Sequence, residues 1–223
     1  MSEYTEEPFL LDNPFRSKFS EYDEEAFLLA NFSNQPKGFF VEIGANNGWK
    51  GSNVHALALN GWSGLCVEAD PNTYPYLVET YLARSDITCV NAAVTDTDGT
   101  VVLYCLKEWC SGLSSTNVGY KDSPNVEEKV VRSVTLDTLL NENNVQIIDV
   151  LSIDAEGCDL DILKAFSFRL KPSVIIVEHS TLTGPNETDL HPFSYLLTPK
   201  GYRLIHKNKG NSIYKLSSLF YPV

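Results

Sequence analysis

Two short segments, residues 41–48 and 67–70, combine glycine, amide and acidic residues in a way that suits a nucleoside ligand. The first reads Val-Glu-Ile-Gly-Ala-Asn-Asn-Gly, and Gly44 and Gly48 bracket its turn. Because glycine has no Cβ, it can adopt a positive φ and let a ligand approach the backbone closely. The second segment contains Glu68, whose carboxylate at the end of a strand can accept hydrogen bonds from both hydroxyls of a ribose. A nucleoside is therefore the favoured ligand.

The elements that must position these residues are predicted to form an open α/β sheet. Residues 39–43 are a short apolar run, which predicts a buried strand. Ser52 or Asn53 is expected to cap the helix that follows, and Gly61 is expected to end it. Glu68 then lies at the end of the second strand. This order of strand, glycine turn, helix and acid-tipped strand is typical of nucleoside-binding α/β folds.

The composition of the turn favours one kind of nucleoside cofactor over another. Its glycines do not make the G-x-G-x-x-G pattern, and the long Trp49-Lys50 pair is a poor site for a pyrophosphate, which needs closely packed backbone amides. Glu42, two residues before the first glycine, suits a cationic or amine-bearing ligand. S-adenosylmethionine carries an ammonium and a sulfonium but no phosphate. It is therefore the expected cofactor.

Seven motifs, in this order, resemble the FkbM-type methyltransferases over about residues 38–215. They are Val-Glu-Ile-Gly-Ala-Asn-Asn-Gly at 41–48, Ser52-Asn53, Gly61-Trp62-Ser63-Gly64, Val67-Glu68-Ala69-Asp70-Pro71, Asn91-Ala92-Ala93-Val94, Thr135-Leu136-Asp137 and Ile153-Asp154-Ala155-Glu156-Gly157. The resemblance implies an α/β class I methyltransferase fold: a Rossmann-like, seven-stranded, mostly parallel sheet with one antiparallel strand and helices on both faces. It also implies methyl transfer to an oxygen, commonly of a sugar or a polyketide-type natural product.

The predicted cofactor site draws on the glycine turn, the acid-tipped strand and the segment after the third predicted strand, residues 87–90. In this fold that last segment usually meets the adenine ring, and small residues there leave room for a flat base. The predicted cofactor-binding residues are Glu42, Gly44, Ala45, Asn46, Asn47, Gly48, Ser52, Asn53, Glu68, Ala69, Asn91, Ala92, Ala93 and Asp154.

Two acids after the fourth predicted strand, residues 147–153, are candidates for the chemistry. Asp154 and Glu156 would stand at the carboxyl edge of the sheet, where α/β proteins bind ligands. Either carboxylate could accept the proton of an acceptor hydroxyl or orient that hydroxyl for in-line attack. The alternatives are that Asp154 caps a helix that starts near Cys158 and that Glu156 is an exposed turn residue.

His179 is the third catalytic candidate, because it follows the fifth predicted strand, residues 174–177, at the same sheet edge. A histidine with a pKa near neutrality could serve as a base, and a structural role is the alternative. The other histidines are scattered, so no metal site is expected. Pro192 is predicted to begin a helix, and residues 202–205 and 212–214 are predicted to form a closing hairpin.

The least regular region lies between two predicted antiparallel strands, residues 100–106 and 130–134. The intervening loop, residues 107–129, is long and polar. Loops of this length inside a domain are often functional, so acceptor recognition or a lid is one interpretation, and a surface excursion is the other.

Composition indicates a single catalytic domain. With 223 residues, 43% of them hydrophobic and 21% charged, the chain has enough volume for one soluble α/β unit. An acidic, partly helical lead-in is predicted over residues 1–37, with its helix within residues 15–31. The methyltransferase domain is predicted over residues 38–223.

The charge distribution indicates which partners to expect. A formal net charge of −12 argues against nucleic acid, whose binding depends on Lys and Arg. The expected partner is a small-molecule or carbohydrate acceptor. Residues 1–25 carry a formal charge of −6 and residues 190–223 carry +5. A contact between these two segments, within one chain or between two, is one interpretation and separately solvated charge is the other. A homo-oligomer is left open.

The cysteines and the first residues indicate a compartment. Five cysteines at irregular spacing form neither a disulfide framework nor a C-x-x-C metal pair, and reduced thiols suggest the cytoplasm. The first residues lack the positive start and apolar core of a signal peptide. No apolar run reaches the roughly 18 residues needed to cross a bilayer, so no membrane partner is expected.

Two other functional classes stay open on the sequence. A nicotinamide-dependent oxidoreductase shares the order of strand, glycine turn, helix and acid, although it uses a different glycine spacing. A non-catalytic binding module can also retain a methyltransferase fold, because fold does not dictate function.

Overall fold

Ten strands organise the part of the chain that the structure describes. The structure, a computed structural model, describes residues 19–106, 126–179 and 192–217. The strands are β1 (Phe39–Ile43), β2 (Ser63–Glu68), β3 (Ile87–Asn91), β4 (Ala93–Thr95), β5 (Gly99–Leu106), β6 (Val126–Thr135), β7 (Val150–Ile153), β8 (Val174–Glu178), β9 (Tyr202–Lys207) and β10 (Asn211–Leu216).

The main sheet has seven strands in the order β3-β2-β1-β7-β8-β10-β9. Parallel pairing joins each strand to the next from β3 through β2, β1 and β7 to β8. Strand β10 runs antiparallel to both of its neighbours, β8 and β9. The prediction of a mostly parallel seven-stranded sheet with one antiparallel strand is therefore confirmed. The order reverses direction at β1, and the crevice beside such a reversal is where open α/β sheets bind ligands.

Helices cover both faces of this sheet. They are α1 (Glu24–Asn31), α2 (His55–Leu59), α3 (Tyr74–Thr80), α4 (Leu136–Glu142), α5 (Asp159–Ala165) and α6 (Pro192–Leu197). Alternate strand residues point to opposite faces: in β1, Val41 belongs to the cluster with residues of α4, α5 and α6, whereas Phe40 belongs to the cluster with residues of α1, α2 and α3. Each face therefore buries its own apolar core.

A second sheet, in the order β4-β6-β5, stands beside the main sheet and was not predicted as a separate unit. Its antiparallel pair β5 and β6 was predicted, but β6 begins four residues earlier, at Val126. Ala93, Leu103, Cys105 and Val131 form a small apolar cluster on this sheet. Residues 107–125, most of the loop predicted to act in acceptor recognition or as a lid, lie outside the described residues.

Several element boundaries in the structure differ from the predicted ones. The fourth parallel strand, β7, begins at Val150 and not at residue 147, because the Asp149 carboxylate accepts hydrogen bonds from the Phe39 amide and the Gln35 side chain, both at 2.9 Å. Ile147 is 62% exposed. The first helix, α1, begins at Glu24; residues 15–18 of its predicted span lie outside the described part. The helix beginning at Pro192 and the closing hairpin are present as predicted.

The lead-in contacts the turn of the closing hairpin within one chain. Asp23 bonds the His206 ring at 2.9 Å and the Asn208 side chain at 2.8 Å, and the Phe27 ring stacks on His206 with centroids 4.9 Å apart. Of the two interpretations of the charge distribution, a contact between the segments therefore holds for the described residues. His206 and Asn208 make this contact, whereas the prediction was based on the charges of lysines and arginines.

Glu24 is the buried anchor of this contact. Its side chain is fully buried and its carboxylate accepts hydrogen bonds from the Tyr22 amide at 3.1 Å, the Asn208 side chain at 2.6 Å and the Asn211 side chain at 2.7 Å. Glu24→Ala should lower the free energy of unfolding by about 3 kcal/mol, because three donors, of which Asn211 is buried, lose a buried charged acceptor. Urea denaturation measures this loss. Glu79→Ala, at an exposed position of α3, is the control, and equal losses in the two variants would contradict the anchoring role.

The described cysteines Cys66, Cys89, Cys105 and Cys158 are free thiols, and Cys110 lies outside the described residues. No helix in the described ranges combines the length and apolar character needed to traverse a bilayer. Within the same ranges, no group of His, Cys, Asp and Glu side chains is arranged to hold a metal ion.

Candidate functional site

A cavity of about 400 Å³ opens at the carboxyl ends of β1, β2 and β7. Such a position at the strand ends is the usual ligand site of an open α/β sheet, and the volume suits a small ligand. The lining residues are Phe19, Glu21, Ile43, Gly44, Asn46, Lys50, Gly51, Val67, Glu68, Ala69, Thr73, Ala92, Ala93, Val94, Leu103, Asp154, Ala155, Glu156 and Cys158.

Gly44 begins the turn that forms the floor of the cavity. Its φ is +77°, and a Cβ at this position would lie 1.8 Å from the carbonyl oxygen of Asp154. The amides of Gly44 and Ala45 donate to the Val67 carbonyl at 3.0 and 2.9 Å. The turn is thus held between the ends of β2 and β7, where only glycine fits.

The second half of the turn faces away from the cavity. Gly48 has a φ of +75°, and a Cβ there would lie 2.7 Å from both Leu77 and Tyr81, so this glycine allows the turn to pack on α3. The Asn47 carboxamide oxygen accepts from the amides of Trp49 and Lys50 at 3.0 and 2.8 Å. Of the predicted cofactor residues, Ala45, Asn47 and Gly48 therefore shape the loop and do not line the cavity.

Asn46 is the residue of the turn whose side chain has an atom available to a ligand. It lies in the left-handed region with a φ of +50° and lines the cavity. Its Oδ1 atom is buried and has no hydrogen-bond partner among the described residues. Because a buried acceptor without a partner is costly, this oxygen indicates that a ligand donor belongs opposite it.

Glu68 lines the cavity at the end of β2 and is 8% exposed. One carboxylate oxygen accepts from the Asn46 amide at 2.8 Å, and the other accepts from the Asp70 amide at 2.7 Å. Each oxygen keeps a second lone pair, so the carboxylate can still accept two hydrogen bonds. Burial raises the pKa of Glu68 to about 7, although the two amide hydrogen bonds oppose this shift.

Glu42 lies behind the turn and does not line the cavity. It is 3% exposed, and its carboxylate accepts from the Ser52 hydroxyl at 2.8 Å and from the Asn53 amide at 3.1 Å. Ser52 Oγ also accepts from the His55 amide at 3.0 Å, but the N-cap position of α2 is Val54, so the prediction that Ser52 or Asn53 occupies that position is wrong. The Asn53 side chain donates to Ser152 on β7 at 3.1 Å. These predicted cofactor residues therefore brace the start of α2.

Small residues form the wall of the cavity after β3. Ala92 and Ala93 are 2% and 3% exposed and line it, next to Val94. Asn91 does not line the cavity; its side-chain amide donates to the carbonyls of Glu68 and Ala69 at 2.7 and 3.2 Å. Asn91 thus fixes the chain that leaves β2, and the two alanines leave a flat space.

Acids form the opposite side of the cavity. Asp154 and Glu156, which follow β7 at the predicted edge of the sheet, both line the cavity. Burial raises the pKa of Asp154 well above its ordinary range, and the negative charges of Glu178 and Asp159 add to this shift. Burial likewise raises the pKa of Glu156 to about 7, again with help from Glu178. Glu156 can therefore exchange a proton close to neutral pH, whereas the raised pKa of Asp154 favours its protonated form.

The alternative for Asp154, a helix cap, is wrong, whereas Glu156 does lie in a turn but also lines the cavity. The N-cap position of α5 is Cys158, which makes no side-chain cap. The Asp159 carboxylate instead accepts from the Ala155 amide, at 3.3 Å, while Asp154 lines the cavity. Glu156 is only partly exposed and has a φ of +50°, an uncommon conformation for a side chain of this type.

His179 does not line the cavity. The side chain is 2% exposed, and Nδ1 lies 3.2 Å from the hydroxyl oxygen of Ser212 on β10. Its amide donates to the Gly210 carbonyl at 2.8 Å. The antiparallel strand β10 thus covers the end of β8 and holds this histidine in the hairpin contact.

Residues of the lead-in line the cavity, although no pattern in the sequence predicted this position. The Phe19 carbonyl accepts from the Gly51 amide at 2.9 Å, and the Phe19 ring packs edge-on against His55 with centroids 4.5 Å apart. Glu21, two residues later, reaches the same cavity. Lys50, considered in the sequence only as an obstacle to pyrophosphate, lines the cavity too.

The buried acids predict how stability depends on pH. Folding raises the pKa of Glu42 and of Glu68 from 4.5 to about 7, so the folded chain binds more protons than the unfolded chain between these values. Unfolding then releases protons, and the free energy of unfolding should fall as pH rises from 5 to 7. Urea denaturation at several pH values measures the slope. Glu42→Gln should reduce the slope and Glu79→Gln should leave it unchanged; a stability that rises across this window would contradict the assignment.

The strand order, the single antiparallel strand and the cavity over a glycine turn and an acid define a class I S-adenosylmethionine-dependent methyltransferase fold. The sequence model of the methyltransferase FkbM domain matches residues 42–204. The chain therefore belongs to the FkbM methyltransferase family, and the family and fold imply use of S-adenosylmethionine.

Solved structures share this fold. A candidate caffeoyl-CoA O-methyltransferase from Staphylococcus aureus is 11% identical with a TM-score of 0.51, over 86% of this chain and 81% of that one. The METTL16 methyltransferase domain is 15% identical with a TM-score of 0.50, over 90% of this chain and 67% of that one. At such identities the likeness concerns the fold alone. Among curated proteins, none matches the chain in sequence.

Proposed function

We propose that the protein is a methyltransferase that transfers the methyl group of S-adenosylmethionine to a hydroxyl oxygen of a small acceptor, a sugar or another natural product. The observation that carries this proposal is the cavity itself. It has the Glu68 carboxylate on one side and the acids Asp154 and Glu156 on another, at the edge of the sheet. The free thiols of the described cysteines support the cytoplasm as its compartment.

The lining residues fit the cofactor group by group. Glu68 keeps two lone pairs for the ribose hydroxyls, and Ala92 and Ala93 leave flat space for the adenine ring. The buried Asn46 Oδ1 calls for a donor from the ligand. The acids that line the cavity favour a ligand with positive charge, such as the sulfonium of the cofactor.

When bound, S-adenosylmethionine supplies a methyl group on a sulfonium, which is a good leaving group. The chain then has two tasks: to align the acceptor oxygen with the methyl carbon, and to exclude water. Asp154 would orient the acceptor hydroxyl, and Glu156 would take its proton. Because the pKa of Glu156 is about 7, its basic form is substantially populated at neutral pH.

The charge of the site favours an acceptor without multiple negative charges. The chain carries a formal charge of −12, and carboxylates border the cavity on two sides. Phosphate-rich acceptors would be repelled by this field. The same repulsion disfavours a dinucleotide, whose pyrophosphate would face an acid-lined cavity.

The proposal is tested by incubating the protein with methyl-labelled S-adenosylmethionine and a panel of sugars and hydroxylated natural products. The expected result is label in at least one acceptor, attached through oxygen. Asp154→Asn should lower kcat more than it lowers cofactor affinity, because it removes a carboxyl group that orients the acceptor hydroxyl and leaves the ribose site intact. Thermal-shift measurements with S-adenosylmethionine and NAD provide the control for cofactor type. Stabilisation by NAD alone, or cofactor binding without transfer to any acceptor, would contradict the proposal.

A further inference from the structure

We propose that Glu21 and Lys50 form the subsite for the amino-acid end of the cofactor, with Glu21 binding its ammonium group and Lys50 its carboxylate. This inference rests on the proposed function. It assigns a role in the site to the lead-in, because Glu21 precedes the residues 42–204 that match the family.

The geometry brings the two side chains to one side of the cavity. Both residues line it. The amide of Gly51, the residue after Lys50, donates to the carbonyl of Phe19, two residues before Glu21, at 2.9 Å. This hydrogen bond joins the two segments directly, so their charged side chains approach the cavity from neighbouring positions.

Both segments are held in place before a ligand binds. The Glu25 carboxylate accepts from the Phe19 amide at 2.9 Å, and the Phe19 ring packs against His55 with centroids 4.5 Å apart. On the other segment, the Asn47 side chain accepts from the Lys50 amide at 2.8 Å. A site held in this way loses less conformational entropy on binding.

Two other acids of this region have different roles. Glu42, which the sequence suggested for an amine, is bonded to Ser52 and Asn53 behind the turn. Glu68 is placed for the ribose. The charge of Glu21 reaches Asp154 and Glu156, since it contributes to the raised pKa of both. An acid and a base that line the same cavity match the zwitterion at the end of the cofactor, where an acid alone would repel its carboxylate.

Two ligands whose sulfur atom is uncharged separate the contribution of this subsite to affinity in a calorimetric titration. S-adenosylhomocysteine carries the amino-acid end and methylthioadenosine lacks it, whereas adenine and ribose are common to both. The wild-type chain should bind S-adenosylhomocysteine at least about tenfold more tightly. Glu21→Gln and Lys50→Met should each reduce this preference about three- to fivefold, and leave methylthioadenosine affinity unchanged.

The controls are Glu79→Gln and Lys37→Met, which remove the same charges at exposed positions that do not line the cavity. Both should keep the wild-type preference. If Glu21→Gln and Lys50→Met keep it as well, or weaken both ligands equally, the subsite does not exist as proposed. If the wild-type chain binds neither ligand nor S-adenosylmethionine, the proposed function itself fails.

Discussion

Replacing Glu68 by alanine is expected to lower the affinity for S-adenosylmethionine by about 100- to 1000-fold. The Glu68 carboxylate would accept hydrogen bonds from two ribose hydroxyls, and at about 1.5–2 kcal/mol each, the lower part of the range for a charged acceptor, the pair contributes about 3–4 kcal/mol. The variant also removes the acceptor of the Asn46 amide, which helps to fix the turn. Isothermal titration calorimetry on the variant and the wild-type chain measures the change.

The control for this variant is Glu79→Ala, which removes an exposed carboxylate from α3 outside the cavity and should bind as the wild type does. The free energy of unfolding is measured in parallel. Two buried amides, of Asn46 and Asp70, lose their acceptor in Glu68→Ala, so the variant should unfold more easily but still fold. Unchanged affinity in a folded variant would show that Glu68 does not bind the ribose.

Gly44→Ala is expected to cost about 3–5 kcal/mol of folding free energy and to abolish cofactor binding. A Cβ at this position would lie 1.8 Å from the Asp154 carbonyl oxygen, and φ is +77°. The neighbour is backbone at the end of β7, so relief of the clash must displace either the turn or the strand end. Chemical denaturation and calorimetric titration of the cofactor measure the two effects.

Gly51→Ala is the matched control, because Gly51 has the same φ of +77° but a Cβ there would meet nothing within 4 Å. Only the backbone preference is then lost, at a cost of about 1–2 kcal/mol. The difference between the two variants isolates the contact with Asp154. Equal costs would mean that backbone conformation alone, and not this close approach, makes glycine necessary at position 44.

The sequence predicted the parts of the fold that depend on local pattern. The apolar run of β1, the glycine turn and Glu68 are formed by residues close together in the chain, and the structure places Gly44, Asn46 and Glu68 at one cavity. Asp154 joins them because parallel strands end at the same edge of a sheet. The seven-stranded sheet, by contrast, was expected from the resemblance to the FkbM-type methyltransferases and not from local pattern.

Long-range contacts account for what could not be predicted. The direction of the Glu42 side chain depends on Ser52, and the position of His179 depends on Ser212, which is 33 residues away. Phe19 and Glu21 reach the cavity because distant hairpin residues hold the lead-in. The spacing of residues along the chain does not predict such contacts.

A crystal structure of the protein with S-adenosylhomocysteine tests the central claim most directly. The account predicts both ribose hydroxyls within hydrogen-bond distance of the Glu68 carboxylate and the adenine ring against Ala92 and Ala93. A ligand bound elsewhere, or with its ribose turned away from Glu68, would contradict it.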